Sequence, residues 1–403
     1  MINIYYNLIN LLIFLTVIFS NILDNILTIF MSGIYIHIPF CRKKCNYCSF
    51  HMSTRLDYID KMIECEIREL ILQRNYLKND IIETIYFGGG TPSIIDKEYI
   101  NDILLTIYRY YKVTNNPEIT LECNPEDIID IEKVRYYKEI GINRLSIGIQ
   151  SFKKDTLKFL NRNDNVENIY KSIENINKIG IKNYNLDLIF GIFNENLNDL
   201  EYNLNEIIKL KPTHISTYCL TIENNTLFNF KIKNKELKEI DDDILANQYL
   251  FIDEFLTKNN FIHYEISNYC LKNYESKHNC SYWNNNIKYL GVGPGAHSYN
   301  IDSRQYNIEN NHIYINYILQ NKIPAKIEIL TDLNKLNEYI FTNIRTNKGL
   351  NLKYLEDNFN YKIDQNFIEK LKNNNYIKII DNNIILTPQG MFISDSIIEQ
   401  LFK

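Results

Sequence analysis

Three cysteines, Cys41, Cys45 and Cys48, stand in a C-x₃-C-x₂-C spacing within His37-Ile38-Pro39-Phe40-Cys41-Arg42-Lys43-Lys44-Cys45-Asn46-Tyr47-Cys48, directly after the apolar run Ile34 to Ile38. Three thiolates on one tight loop can hold three irons of a cubane cluster and leave the fourth without a protein ligand. An open iron is a place where a small molecule can chelate. With S-adenosylmethionine (SAM) there, an electron passed to the sulfonium releases a 5′-deoxyadenosyl radical. The same thiols could instead take part in a structural zinc tetrahedron, and His51, three residues after Cys48, could supply its fourth donor. The other cysteines, Cys65, Cys123, Cys219, Cys270 and Cys280, are scattered and form no disulfide framework.

Further groups fit the neighbourhood of such a cluster. Gly88-Gly89-Gly90-Thr91-Pro92-Ser93 follows an apolar run, and glycines let a backbone approach a ligand with its N–H and C=O groups free. Glu122, Gln150, Arg162 and Asp187 supply polar groups. A carboxylate can take both hydroxyls of a ribose, and a guanidinium can pair with a carboxylate. Each of these, taken alone, reads equally as a surface or structural residue, and the glycines as a plain tight turn. His278-Asn279-Cys280-Ser281-Tyr282-Trp283 holds the one tryptophan of the chain. An imidazole beside aromatic rings suits an iron porphyrin, although a histidine satisfied in a packed loop has the same signature. Gly291-Val292-Gly293-Pro294-Gly295-Ala296-His297 reads as a rigid turn, with His297 a lesser ligand candidate.

The elements that must position these residues alternate. Strands are expected at Ile34–Ile38, Ile82–Phe87, Ile119–Cys123, Leu145–Gln150, Tyr184–Phe190 and His214–Leu220. Helical stripes fall between them, at Leu56–Leu77, Glu98–Tyr111, Ile131–Ile140, Lys154–Leu160, Val166–Ile179 and Leu197–Leu210, with another at Ile244–Thr257. Six strand–helix units predict an α/β fold: a parallel sheet closed or partly closed into a TIM-like barrel. Such barrels keep their chemistry at the carboxyl ends of the strands. The cysteines, the glycines, Glu122, Asn124 and Gln150 all fall there, and Asp187 lies within the fifth strand. After about Asn300, helices at Leu330–Arg345, Leu352–Asn358 and Phe367–Leu371 precede a hairpin over Ile377–Leu386. This predicts a small winged-helix-like domain over 301–403, a packing or docking module behind the 31–300 barrel.

Composition narrows the class further. The 403 residues are 45% hydrophobic and 23% charged, an ordinary globular balance, and the net charge of −5 gives no reason to expect nucleic-acid binding. Residues 1–30 stand apart: one charged residue, Asp24, accompanies the run Leu11 to Phe19. Without a basic flank they read poorly as a signal peptide or as an oriented membrane span. Translation is expected to begin at Met31, with a peripheral or anchoring segment as the alternative.

Taken together, these strings resemble the radical SAM family that contains oxygen-independent coproporphyrinogen oxidase and the HemW-type heme chaperones. The matching strings are Tyr35 to Cys41, Gly88 to Ser93, Glu122-Cys123-Asn124-Pro125, Asn143 to Phe152, Asp187 to Gly191, Tyr264 to Asn268 and His278 to Trp283. The resemblance covers Ile34 to Lys403 and implies an open six-unit (βα) barrel with a C-terminal helical domain. It implies a [4Fe-4S] cluster on Cys41, Cys45 and Cys48. It puts Tyr35, Tyr47, Gly89, Gly90, Thr91, Glu122, Gln150, Arg162, Asp187 and, further, Thr221 on SAM-contacting positions. It makes His278 a heme ligand. The oxidase branch carries another cysteine two residues after the third ligand, where this chain has Phe50. That difference and the His278 string favour the chaperone: a cytoplasmic protein, open to peripheral membrane contact and to homodimerisation, that passes heme to acceptor haemoproteins, respiratory ones among them. Decarboxylation of coproporphyrinogen III is the alternative. Departures from the family pattern are Asp164 for a histidine, Phe193 for a proline and Asn161 for a glycine.

Overall fold

The computed structural model describes residues 31–163, 165–193 and 195–403; the expectations for residues 1–30 and for Asp164 lie outside the described residues. The first part alternates: β1 (Met31–Ile38), α1 (Ile59–Leu72), β2 (Ile81–Gly89), α2 (Lys97–Tyr110), β3 (Val113–Cys123), α3 (Ile131–Glu139), β4 (Arg144–Gln150), α4 (Lys154–Phe159), α5 (Glu167–Ile179), β5 (Asn183–Phe190), α6 (Leu197–Lys209) and β6 (His214–Cys219). β1 to β6 pair in chain order and all in parallel. Local signals set the helix ends. An Asn196/Asp199 capping box starts α6, and Gly180, at φ +78°, ends α5 in the left-handed conformation.

The two faces of these strands differ in chemistry. Ile34, Ile36, Ile38, Ile85, Phe87, Ile119, Leu121, Leu145, Ile147, Leu186, Leu188 and Ile215 are buried in one hydrophobic core with the helices. The alternate positions are polar: Tyr35 and His37, Thr84 and Tyr86, Glu118, Thr120 and Glu122, Arg144 and Ser146, Asn185 and Asp187, His214 and Ser216. They meet one another inside the barrel. Asn185 Nδ2 donates to Ser146 Oγ at 2.8 Å, His214 Nδ1 lies 2.7 Å from Asn185 Oδ1, and Tyr86 OH donates to Glu122 Oε1 at 2.8 Å. The lumen is a hydrogen-bonded polar layer, and the apolar core lies outside it.

The barrel is left open and is extended on both sides. α7 (Leu227–Lys233) and α8 (Asp242–Lys258) lead to the hairpin of β7 (Ile262–Glu265) and β8 (Asn268–Cys270), which joins β6 antiparallel. α9 (Lys277–Tyr282) follows. β9 (Lys288–Val292) then pairs in parallel with β1, and β10 (His297–Tyr299), β11 (Ser303–Asn307) and β12 (Ala325–Ile329) continue antiparallel, with α10 (Asn311–Leu319) before the last. The twelve strands run in the order β12-β11-β10-β9-β1-β2-β3-β4-β5-β6-β8-β7. The main sheet therefore continues past residue 300, to Ile329.

Behind it come α11 (Asp332–Asn343), β13 (Leu350–Asn351), α12 (Leu352–Phe359), α13 (Gln365–Asn373), β14 (Ile377–Ile380), β15 (Asn383–Leu386), α14 (Pro388–Phe392) and α15 (Ser394–Leu401). The three-stranded sheet β13-β15-β14 with its helices has the winged-helix-like form. Its hairpin turns on Asp381 and Asn382, both at positive φ, which matches the right-handed twist of the strands.

Glu69 of α1 ties the added strands to the barrel. Buried, it accepts from Gln73 Nε2 (2.8 Å) and Asn307 Nδ2 (2.7 Å) on one oxygen, and from Gly293 N (2.9 Å) and Tyr314 OH (2.6 Å) on the other. Removing it strands four buried donors, from the residue that ends α1, the β9–β10 turn, β11 and α10. Glu69→Leu is expected to cost about 3 kcal/mol or more in urea unfolding. A loss below ~1 kcal/mol would show that the network is dispensable.

Candidate functional site

The cysteine loop leaves the carboxyl end of β1 and is strapped on two sides. At its base Cys41 N donates to Ser53 O (3.0 Å) and Ser53 N to Pro39 O (2.8 Å). The glycine turn after β2 binds it next, through Gly90 N to Ile38 O (2.8 Å) and Thr91 N to Phe40 O (2.7 Å). A Cβ on Gly90 would stand 2.5 Å from Phe40 O, so only glycine allows this approach. The far side is held by the end of α4, where Asn46 Nδ2 donates to Phe159 O (2.7 Å) and Asn161 Nδ2 to Lys44 O (2.7 Å). Asn161, in place of the family glycine, sits at φ +58°, a conformation asparagine tolerates better than most residues. Phe193, in place of the proline, stacks edge-on with Phe159 and Phe228 in a small apolar cluster.

Cys41, Cys45 and Cys48 line one cavity of about 770 Å³ at the carboxyl ends of the strands. Tyr47, Gly89, Gly90, Thr91, Glu122, Gln150, Arg162, Asp187 and Thr221 line the same cavity. Thr91 Oγ1 is 3.4 Å from Cys41 Sγ. The Arg162 guanidinium donates to Asn124 Oδ1 (2.8 Å) and to the Gly148 carbonyl, and its other nitrogen stands 3.9 Å from Cys45 Sγ. Asp187 Oδ1 accepts from Asn185 Nδ2 at 2.6 Å. Gln150 ends β4 at φ +65°, a strained setting for a side chain this size, and its buried Oε1 has no partner.

These features fit a ligand-holding cavity beside a metal cluster: three thiols, a backbone ridge, an orphaned amide oxygen and two carboxyls. They do not favour zinc. His51 Nε2 is committed to Asn311 Oδ1 at 2.6 Å and its ring stacks on His37. Among the described residues no group of three His, Cys, Asp or Glu side chains is gathered tightly enough to share a single ion.

Two expected site residues do not line this cavity. Tyr35 points into the lumen beneath it, with its hydroxyl 3.1 Å from His37 Nδ1. His278 lies on α9 at the amino-terminal end of the barrel, where a Cβ on Gly33 would come within 3.1 Å of its ring. It is buried, and both ring nitrogens are engaged, Nδ1 with Thr84 Oγ1 at 2.7 Å and Nε2 with Tyr282 OH at 2.8 Å. Its ring stacks on Tyr86 at 5.0 Å, and Glu118 takes its backbone N–H. α9 thus plugs the barrel floor, and His278 is placed there as part of the plug. Burial, then the charge of Arg144, lowers its pKa to about 3, so the ring is neutral.

Ser146, present in the sequence motifs only as part of a string, and Tyr218, in none of them, line the cavity from β4 and β6. Arg144 stands in that same string. Arg144 is buried in the lumen, and its Nε and Nη1 have no hydrogen-bond partner. Period-two alternation along the strands is the signal that identifies all three.

Burial raises Glu122 to about 7, opposed by its bond from Tyr86 and reinforced by Asp187. Burial raises Asp187 to about 6, against the bonds from Asn185 and Ser216. The folded protein therefore holds protons that the unfolded chain has released between the ordinary carboxyl range and these values. Stability of the ligand-free protein is expected to fall as pH rises from about 4.5 to 7. Thermal unfolding should lose several degrees over that window, and Glu122→Gln should flatten the slope. An unchanged slope in that variant would mean that other groups set the dependence.

Residues 35–207 match the radical SAM superfamily. Over 374 residues the chain is 30% identical to the heme chaperone HemW of Bacillus subtilis (strain 168), covering 91% of this chain and 98% of that protein. It is 34% identical over 349 residues to the heme chaperone HemW of Buchnera aphidicola subsp. Schizaphis graminum, covering 84% and 89%. Its fold is that of the coproporphyrinogen III oxidase HemN from Escherichia coli, at a TM-score of 0.78 and 20% identity over 92% of this chain and 89% of that one. With a three-thiol loop on the first strand of an open α/β barrel and this extent of likeness, the chain belongs to the HemW family of radical SAM proteins.

Proposed function

We propose that this protein is a cytoplasmic heme chaperone. It binds heme, a [4Fe-4S] cluster and SAM, and passes heme to acceptor haemoproteins, including respiratory ones at the membrane. The observation that carries the reading is the convergence of three thiols, a glycine ridge and two carboxyls on one cavity, in a chain alike over nine-tenths of its length to proteins named heme chaperone. Cys41, Cys45 and Cys48 would hold three irons. When bound, SAM supplies the chelate for the fourth iron and a reducible sulfonium. Gly89, Gly90 and Thr91 offer backbone groups to its amino end, and Arg162 pairs with its carboxylate. Glu122 and Asp187 take its ribose hydroxyls, and Tyr47, Gln150 and Thr221 close the cavity around the adenosyl part. Tyr35 supports the floor from below.

Phe50 stands 70% exposed at the cavity mouth, where the oxidase branch carries a further cysteine. For His278 to ligate heme, as the family string implies, it must first give up Thr84 and Tyr282. No helix among the described residues is long and apolar enough to cross a membrane; contact with membrane-bound acceptors then rests on a surface, with the C-terminal unit as the docking module.

After anaerobic reconstitution, Cys45→Ala is expected to show less than about a tenth of the wild-type cluster absorption in the visible range. A full cluster in that variant would refute the ligand assignment. Heme-loaded protein should also transfer its heme to an apo-haemoprotein, followed by the acceptor's Soret band. The HemN-like fold keeps an enzymatic alternative in view. Protoporphyrinogen formation from coproporphyrinogen III, with SAM and a reductant, would replace the chaperone reading by it.

A further inference from the structure

Inside the barrel a chain of hydrogen bonds runs from the floor to the thiol cavity, and each link has a direction. Ser146, Asn185 and His214 are register partners on β4, β5 and β6, so their side chains form one row across the lumen. Asp187 stands two residues beyond Asn185 on the same face of β5, where it lines the cavity. Tyr264 of β7 closes the other end, its hydroxyl 2.8 Å from His214 Nε2. His214 is fully buried, so each ring nitrogen needs a partner from within the protein.

The direction is set at the floor. Ser276, the residue that caps α9, places its backbone N–H on the Tyr264 hydroxyl oxygen. The hydrogen of the phenol is then free for His214 Nε2. Burial, then the charge of Arg144, holds His214 well below the ordinary imidazole range, so its ring is neutral and carries a single N–H. With Nε2 accepting, that hydrogen sits on Nδ1, 2.7 Å from Asn185 Oδ1. Ser216 Oγ donates to the same amide oxygen at 3.1 Å. The Asn185 amide is thereby turned with its nitrogen toward Ser146 Oγ (2.8 Å) and Asp187 Oδ1 (2.6 Å).

We propose that His214 is a positioning residue for the SAM ribose: by fixing the Asn185 amide it keeps Asp187 an acceptor for a ribose hydroxyl. The proposal rests on the SAM reading above and adds a residue that never touches the ligand.

Run in reverse, the chain would need Asp187 to hold a proton and give it to Asn185 Oδ1, with the amide turned over. His214 would then carry its hydrogen on Nε2. Tyr264 would accept from both His214 and Ser276, and its own hydrogen would lose its acceptor. A protonated Asp187 would also bring a competing donor to a diol that needs acceptors. Arg144 and Arg162 push in the same sense as the relay, since the charge of each favours the ionised carboxylate. They act through space, whereas the relay acts by contact. An apolar residue at position 214 would keep the arginines and free the amide to turn.

The test is SAM binding to anaerobically reconstituted full-length protein by equilibrium dialysis, with cluster absorption and circular dichroism as checks on the fold. Wild type should bind saturably. His214→Leu should weaken binding about tenfold or more, and His214→Gln, whose amide keeps one donor and one acceptor, should return to within about threefold of wild type. Tyr264→Phe, which removes the hydroxyl alone, should weaken binding several-fold. In an Asp187→Asn background, His214→Leu should add less than about a twofold loss, because the route to the ligand is already cut. Wild-type affinity in a folded His214→Leu would overturn the proposal. So would equal losses in His214→Leu and His214→Gln, which would reduce the imidazole to its shape, or full multiplication of the His214 and Asp187 losses. Should His214→Leu not fold, wild-type affinity in Tyr264→Phe decides against the relay. No saturable binding by wild type would instead overturn the SAM reading itself.

Discussion

A polar group buried without a partner costs on the order of 1–3 kcal/mol, and this barrel fills its interior with polar side chains. Thr84, Glu118, Asn185 and His214 occupy inward positions that a packed barrel core gives to Val, Ile or Leu. They are acceptable there because they satisfy one another and because α9 closes the floor. His278 bonds Thr84 and Tyr282, and Glu118 takes the first N–H groups of that helix. Without the plug, several of these groups would lose their partners and water would enter the lumen. The open sheet, the inserted helix and the polar interior are therefore one solution to one constraint.

The cavity above the floor inherits its geometry from that layer. Tyr86 spans the two levels, stacking on His278 below and donating to Glu122 above. The thiol loop is rigid for a separate reason: it is bonded to the turn after β2 on one side and to the end of α4 on the other. A cluster site needs its ligands held near their working positions before the metal arrives, and second contacts of this kind supply that. Gly90 illustrates how tight the fit is, since a single methyl there would collide with the Phe40 backbone.

Much of this was legible in the sequence, because the strong signals are local. Apolar runs ending in glycines and cysteines marked β1 to β6 and the end of the barrel that carries the cavity. The C-terminal hairpin showed itself through Asp381 and Asn382 between two apolar runs. What was not legible depends on partners distant in the chain. β7 to β12 are short and irregular in pattern, and they form strands because a neighbouring edge offers hydrogen bonds. The His278 string looks the same whether its imidazole is free or buried, and only Thr84, 194 residues away, decides. The polar lumen was hidden for another reason: reading strands as apolar runs discards the alternate residues, which here are the informative ones.

Charge balance ties the cavity to the kind of ligand it favours. Burial raises the cost of ionising both Glu122 and Asp187, and Asp187 raises that of Glu122 further, so near neutrality the pair is only partly charged. Arg144 opposes this from below, lowering both, but it carries no direct hydrogen bond to either and its Nε and Nη1 are unpartnered. A ligand that brings positive charge into the cavity would let both carboxyls ionise, and their charge-assisted bonds to hydroxyls would then strengthen. A sulfonium nucleoside combines that charge with a ribose diol in one molecule. The orphaned Oε1 of Gln150, held at a strained backbone angle, stands ready to accept from the same ligand. On the proposed reading such a molecule would suit the two carboxyls, with the Arg162 guanidinium lining the same cavity.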